Sequence, residues 1–217
     1  MSLLSAAKQL RERARGKSAG RLARGAFERA WGAVTIGLTT AYYRAKYRRV
    51  VFGHGVAIRG RLIVRGSGTV SLGDYCFLDT AGGLPNKIQT FSPEAQVVIG
   101  DHCFLNSVEI ACRERVQIGR RAMIGECLLM DTDFHRVEIN RWDPAIAVRN
   151  KPITIEENVW IANRTIVLKG VTVGQNSVVG AGTVVRQSVP ANVVVIGNPQ
   201  QVVKHLDTAV LPYEPGG

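Results

Sequence analysis

The chain has 217 residues, and 28 Lys and Arg against 17 Asp and Glu give a formal net charge of +11. Hydrophobic residues at 46% with 21% charged exclude a wholly disordered chain, and the length suits one domain or a domain with an appendage. Aromatics at 6% and 23 glycines point toward a turn-rich β structure filled by small aliphatics.

The charge is unevenly placed. Residues 1–50 hold 12 Lys and Arg with only Glu12 and Glu28, a net of +10, whereas residues 51–217 hold 16 cations against 15 acids, a net of +1. A nearly neutral body carries a basic head. The body shows no stripe of aromatic and basic residues of the kind a single-stranded nucleic acid requires, so no nucleic-acid partner is expected.

The head itself is Arg-rich to residue 29, then runs from Ala30 to Tyr43 without a charge, and closes with Arg44, Lys46, Arg48 and Arg49. A bilayer span needs about 20 apolar residues, so this run is too short to cross unaided. The long basic part and the missing small-residue cleavage site argue against a secretory signal. Residues 1–51 are expected to form a basic helical segment, although Gly32 and Gly37 lower its propensity. Two roles fit it. The helix packs on the main domain or on a neighbouring subunit, or it lies in a membrane interface with its cations on acidic headgroups and Trp31, Tyr42 and Tyr43 at the boundary. The expected location is the cytoplasm, and the second role puts the protein at the inner face of the membrane.

From residue 52 an aliphatic residue followed by a small or acidic one recurs every six positions. Ile99-Gly100, Leu105-Asn106, Ile118-Gly119, Ile124-Gly125 and Met130-Asp131 follow it. So do Ile155-Glu156, Ile161-Ala162, Val167-Leu168, Val173-Gly174, Val179-Gly180 and Val185-Arg186. A helix of about 3.6 residues per turn would scatter these side chains around its circumference. Short strands joined by tight turns keep them all inward, with Gly, Asn or Asp turning the chain. Three hexapeptides close one triangular coil, so Ile155 should stack over Val173, and Ile161 over Val179. The predicted fold is an all-β solenoid over residues 52–206, with a short C-terminal helix and a tail at 207–217. Residues 79–96 and 136–152 lack the hexad and should loop out, which makes them candidates for function. Cys76, Cys103 and Cys127 occupy the same neighbourhood of a hexapeptide and read as small core fillers. No C-x-x-C pair or other zinc spacing occurs, and no metal is expected.

These repeats, above all VWIANRTIVLKGVTVGQNSVVGAGTVVRQSVPANVVVIGNPQQVVK at 159–204, resemble the hexapeptide-repeat acyltransferases. Within that superfamily the sequence is most similar to the sugar and polysaccharide O-acetyltransferases. The resemblance covers roughly residues 52–206. It implies a left-handed parallel β-helix, a homotrimer, and an acetyl-CoA site between adjacent subunits.

Transfer of acetyl to a hydroxyl needs a base, and an imidazole with an ordinary pKa of about 6.5 can serve at neutral pH. Of His54, His102, His135 and His205, only His135 ends a coil, in MDTDFH, where the 136–152 loop begins. The resemblance makes it the general base. In an extended segment Asp131, Asp133 and His135 would share a side, so Asp133, with Asp131 second, is the carboxylate that would orient the imidazole. The alternative is that both acids only cap turns.

Carried over residue by residue, the resemblance gives Trp160, Ala162, Asn163, Ala181, Arg186, Gln187, Gln201 and Lys204 as cofactor-binding positions. Trp160, Ala162 and Asn163 lie in the block that lines the pantetheine channel, and Ala162 stands where the family often has Gly. Arg186-Gln187 replaces a frequent Thr-Lys. Lys204, in the helix expected after Asn198-Pro199, would face the nucleotide phosphates. The expected acceptor is a sugar or glycan hydroxyl in surface polysaccharide biosynthesis. Alternatives are N-acetylation of an amino sugar and a non-catalytic assembly protein. A zinc carbonic anhydrase on the same fold would need three converging histidines, which four scattered ones do not supply.

Overall fold

An inward aliphatic at every sixth residue calls for three short strands per turn of coil. The computed structural model, which describes residues 30–209, stacks them into three sheets. Sheet A holds six strands from Val50–Phe52 to Thr172–Val173, and sheet C holds six from Leu62–Arg65 to Val184–Val185. Sheet B holds eight, from Ala57–Arg59 through Val193–Ile196 to a last strand, Gln201–His205. Apart from the last strand of sheet B, successive strands of each sheet come from successive coils and pair in parallel, so every coil hydrogen-bonds only to its neighbours.

Register fixes three ladders in the core. Phe52, Leu72, Ile99, Ile118, Ile155 and Val173 stack in sheet A. Ile58, Leu78, Leu105, Ile124, Ile161, Val179 and Val195 stack in sheet B. Val64, Ile88, Ile110, Leu129, Val167 and Val185 stack in sheet C. The expected stacking of Ile155 on Val173 and of Ile161 on Val179 is present.

The turns stack as well. At the A–B corner Asn158, Asn176 and Asn192 all take φ near +60°, a conformation Asn tolerates, and their side-chain amides hydrogen-bond upward at 2.9 and 2.8 Å. Gly119 precedes this corner with no room for a side chain, since a Cβ would sit 2.7 Å from the Glu156 carbonyl carbon.

Four expectations change. Met130 is not an inward hexad residue; Leu129 is, because the B–C corner of this coil is one residue short. Cys76 and Cys103 do share a position just before a sheet B strand, but the residue stacked there next is Ala122. Cys127 instead begins a sheet C strand. Residues 79–96 do not leave the coil as one loop, because Asn86–Thr90 pairs with Leu62–Arg65 and Glu109–Cys112 within sheet C. Only the connections on either side of that strand are enlarged. Finally, among the described residues no helix follows Asn198-Pro199. Gln201–His205 is a strand antiparallel to Val193–Ile196, where its β-branched Val202 and Val203 suit an extended chain and the open edge of sheet B offers backbone partners.

At the other end, residues 30–46 form a helix that covers the first coil. The Thr40 hydroxyl accepts the Ile58 N–H at 3.0 Å, and the Tyr43 hydroxyl accepts the Leu62 N–H at 3.0 Å. The Tyr47 hydroxyl donates to the Leu62 carbonyl, and Arg44 donates to the Phe52 and Gly53 carbonyls. Side chains of the helix thus satisfy backbone groups at the end of the solenoid. The rest of the expected helical segment, residues 1–29, and the tail beyond residue 209 lie outside the described residues.

Candidate active site

The strand Cys127–Met130 ends sheet C's fourth coil, and the chain then departs until Ile153 re-enters sheet A. One residue pins the departure. Asp131 is fully buried, and its carboxylate accepts the backbone N–H groups of Arg113, Glu114 and Arg115 at 2.7, 2.7 and 2.8 Å. Its own carbonyl accepts the Lys151 N–H at 2.9 Å, so the outgoing and returning legs meet at this residue. Thr132 bridges Asn150, and the Asp133 N–H donates to the Arg149 carbonyl at 3.1 Å. Arg136 donates to the Ile146 and Pro144 carbonyls, and Arg149 pairs with Glu138 at 2.6 Å, which braces the loop internally.

His135 stands exposed on this stem. Its N–H donates to the Asp133 carbonyl at 2.6 Å, and among the described residues its imidazole has no hydrogen-bond partner. Phe134, at φ +59°, turns the chain here and lies edge-on to Phe91 with ring centroids 5.0 Å apart. The positive φ breaks the extended alternation that would have set Asp131, Asp133 and His135 on one side. Asp131 faces the 113–115 turn. Asp133 pairs through Oδ1 with Lys169 at 2.5 Å, while its Oδ2 is buried without a hydrogen-bond partner.

The expected cofactor positions gather elsewhere. At the B–C corner, register stacks Gly125, Ala162 and Gly180, and then Glu126, Asn163 and Ala181. A Cβ at residue 125 would lie 2.1 Å from the Asn163 Oδ1, so the glycine makes room for that side chain. Arg164 and Gly182, at φ +60° and +72°, take the same place in this corner, a residue that the shorter corner after Ile124 lacks. Trp160 lies on the outer face of sheet B, half exposed, in register with Met123 and Val178. Arg186 and Gln187 follow the last sheet C strand. Their backbone N–H groups donate to the Gln200 Oε1 at 2.8 and 3.2 Å, so these N–H groups are already engaged within the chain. Gln201 and Lys204 are exposed on the final strand rather than on a helix.

The expected site residues therefore fall in separate groups. His135 and Asp133 mark the C–A end of sheet C, and Trp160, Ala162, Asn163 and Ala181 mark its B–C end. At ~3.3 Å per residue, the five steps between the two corners amount to roughly 17 Å. A groove of about 300 Å³ lies along this sheet at the B–C side, lined by Leu84, Ser107, Glu126, Leu128, Arg164 and Ile166 among others. Lys169, the amide cradle around Asp131, the Gln200 clamp and this groove were not apparent in the sequence. Lys169 lies 36 positions from Asp133, and only the coil register brings the two together.

Residues 152–187 match the family model described as bacterial transferase hexapeptide (six repeats). The chain is 39% identical over 94 residues to a galactoside O-acetyltransferase of Lactococcus lactis, covering 42% of this chain and 43% of that protein. It is 28% identical over 166 residues to a putative lipopolysaccharide biosynthesis O-acetyl transferase of Escherichia coli K12, covering 72% of this chain and 82% of that one. The chain spans about half the length of several of the curated relatives it matches. Among solved structures its fold is similar to an N-acyltransferase from Bacillus cereus in complex with dTDP-4-amino-4,6-dideoxyglucose and coenzyme A. The TM-score is 0.63 at 18% identity, over 77% of this chain and 90% of that one.

Proposed function

We propose that the protein is an acetyl-CoA-dependent O-acetyltransferase that modifies a sugar hydroxyl in surface polysaccharide biosynthesis. The observation that carries this reading is an exposed histidine on a braced excursion from a hexapeptide solenoid, His135. The named activities of the two O-acetyltransferase relatives support the acceptor class. The left hand of the coil and the homotrimer are what the resemblance to hexapeptide-repeat acyltransferases implies, and the proposed cytoplasmic site of action rests on the free cysteines. Among the described residues no helix is long and apolar enough to cross a membrane.

The B–C corner fits a coenzyme A arm. Its floor is small at Ala162, Gly180 and Ala181, Trp160 offers an exposed apolar wall, and Asn163 supplies an amide. Arg186 and Lys204 are exposed cations toward the C-terminal end, where they can meet phosphate oxygens; Gln187 and Gln201 lie beside them. Acetyl-CoA supplies the acetyl group as a thioester whose sulfur leaves. The His135 imidazole takes the proton of the acceptor hydroxyl as its oxygen bonds to the acetyl carbon, and the carbon–sulfur bond breaks. Asp133, held through Oδ1 by Lys169, is the proposed partner that steadies the resulting imidazolium, a role that requires its Oδ2 to turn toward His135. Because the half-sites lie at opposite ends of sheet C, His135 of one subunit works with the corner of a neighbour. Half-exposed Met123 and Trp160 on the outer face of sheet B suit such packing.

The test is acetyl transfer to a panel of sugars, read as thiol release, for wild type and His135→Ala. Loss of a general base lowers turnover by about 10²–10⁴-fold. Coenzyme A binding and the unfolding midpoint should remain unchanged, since the side chain is exposed. Wild-type turnover by the variant overturns the mechanism, and transfer only to amino groups would replace O- with N-acetylation.

A further inference from the structure

The helix at 30–46 carries two apolar faces, and only one of them is used by the solenoid. Thr40 and Tyr43 are buried against the first coil, with Ile36 and Tyr47 beside them. At about 100° per residue, Trp31, Val34, Leu38 and Tyr42 fall on the roughly opposite side. All four are exposed, at 61, 53, 67 and 56%. This corrects the expectation that Tyr43 sits at a membrane boundary, because its hydroxyl is engaged with the Leu62 N–H inside the fold. Tyr42 keeps that position.

The surroundings of the exposed face are cationic. The Lys46 ammonium lies over the Tyr42, Tyr43 and Tyr47 rings at 5.2–5.9 Å. Beside it a cleft of about 330 Å³ is lined by Lys46, Arg48 and Arg49 above Val50, Val64 and Val70. Residues 1–50 together carry 12 Lys and Arg against two acids. A hydrophobic stripe flanked by cations, fixed at one end of a rigid rod, is what an anionic lipid surface complements. Apolar residues enter the headgroup–acyl boundary while Lys and Arg meet lipid phosphates. A protein partner of ordinary charge would leave the cationic excess unmatched, and a nucleic acid would leave Val34 and Leu38 in water.

We propose that residues 1–50 dock the protein on an anionic membrane surface, with Trp31, Val34, Leu38 and Tyr42 as the inserted face and Lys46, Arg48 and Arg49 on the headgroups. The inference does not rest on the acyl-transfer reading. The experiment is co-sedimentation of the full chain with phosphatidylcholine vesicles, with or without phosphatidylglycerol, at low salt and at ~0.5 M salt. Wild type should pellet with the anionic vesicles only and be released by salt. Leu38→Asp, and Val34→Asp as a second variant, should weaken binding about tenfold or more at an unchanged unfolding midpoint, since both positions are exposed. The proposal is overturned if wild type does not pellet or pellets equally with neutral vesicles. It is overturned if both variants bind like wild type, which leaves only diffuse attraction. It also fails if the variants dissociate an assembly of copies without changing lipid binding, or if a DNA duplex binds where vesicles do not.

Discussion

Asp131 should be the residue on which the excursion depends most. In Asp131→Asn the side chain keeps its volume but one carboxylate oxygen becomes an NH2 group. In the wild type one carboxylate oxygen serves the Arg113 N–H, and the other serves those of Glu114 and Arg115. The variant can satisfy one of these sets, and its amide then faces the other donor to donor. A buried donor left without an acceptor costs about 1–3 kcal/mol, reduced here because the side chains of residues 113–115 are exposed and water reaches the turn. A loss of about 1–2 kcal/mol is expected. For a chain of this size that lowers Tm by about 2–8 °C. Thermal scans at fixed protein concentration give the magnitude. Hydrogen exchange gives the location, because the Arg113–Arg115 amides and the stem to Lys151 should lose protection before the sheet ladders do. A Tm within ~1 °C of wild type, with those amides still protected, would refute the cradle as an organising element.

Two further outcomes follow from buried polar groups. Burial and the neighbouring Asp131 carboxylate push the Cys112 thiol up to about 12, and burial pushes the Cys127 thiol up as well. With all four cysteines free and buried, a thiol reagent at mildly alkaline pH should modify none until the chain unfolds, and rapid labelling of the folded protein would show that the coil opens there. The Arg59 guanidinium holds the buried Asp79 carboxyl below its ordinary range, a contribution present above about pH 4 and lost as pH falls through the depressed value. Arg59→Met should therefore lower Tm at pH 7 and approach wild type near pH 3; a gap that stays constant with pH would mean that only packing was lost.

The solenoid was legible because one six-residue rule governs turn and core together. Ile155 and Val173 could be stacked by counting, since both the aliphatic and the following turn residue repeat. The rule misled where corner lengths vary. It placed Met130 inward because one residue is absent from that corner, and it aligned Cys127 with Cys103 because IGECLL mimics IGDHCF. It also discarded Asn86–Thr90, a strand whose inward Ile88 is flanked by the polar Asn86, Lys87, Gln89 and Thr90. The C-terminal strand escaped because a turn at 197–200 followed by VVK fits either a helix start or a returning strand, and only the open edge of sheet B decides. His135 was found by its position beside a break in the period. Its surroundings were not, because Lys169 and the Arg113–Arg115 amides are close only through the stacking of coils.

The two interruptions of the period have a common logic in the proposed trimer. The connection 80–85 enlarges the B–C corner of the second coil, and the departure after Asp131 enlarges the C–A corner of the fourth. Within a chain these lie at opposite ends of sheet C, so neither can close over a small acceptor held by the other. In a closed ring of identical head-to-tail contacts, one chain's C–A corner faces the next chain's B–C corner. His135 then meets the groove lined by Leu84, Ser107 and Glu126 of its neighbour, together with the small residues of that same corner. A regular solenoid gains stability from every repeat it keeps, so in the proposed trimer the departures at two edges that meet across the interface find their reason in the proposed site rather than in the fold they interrupt.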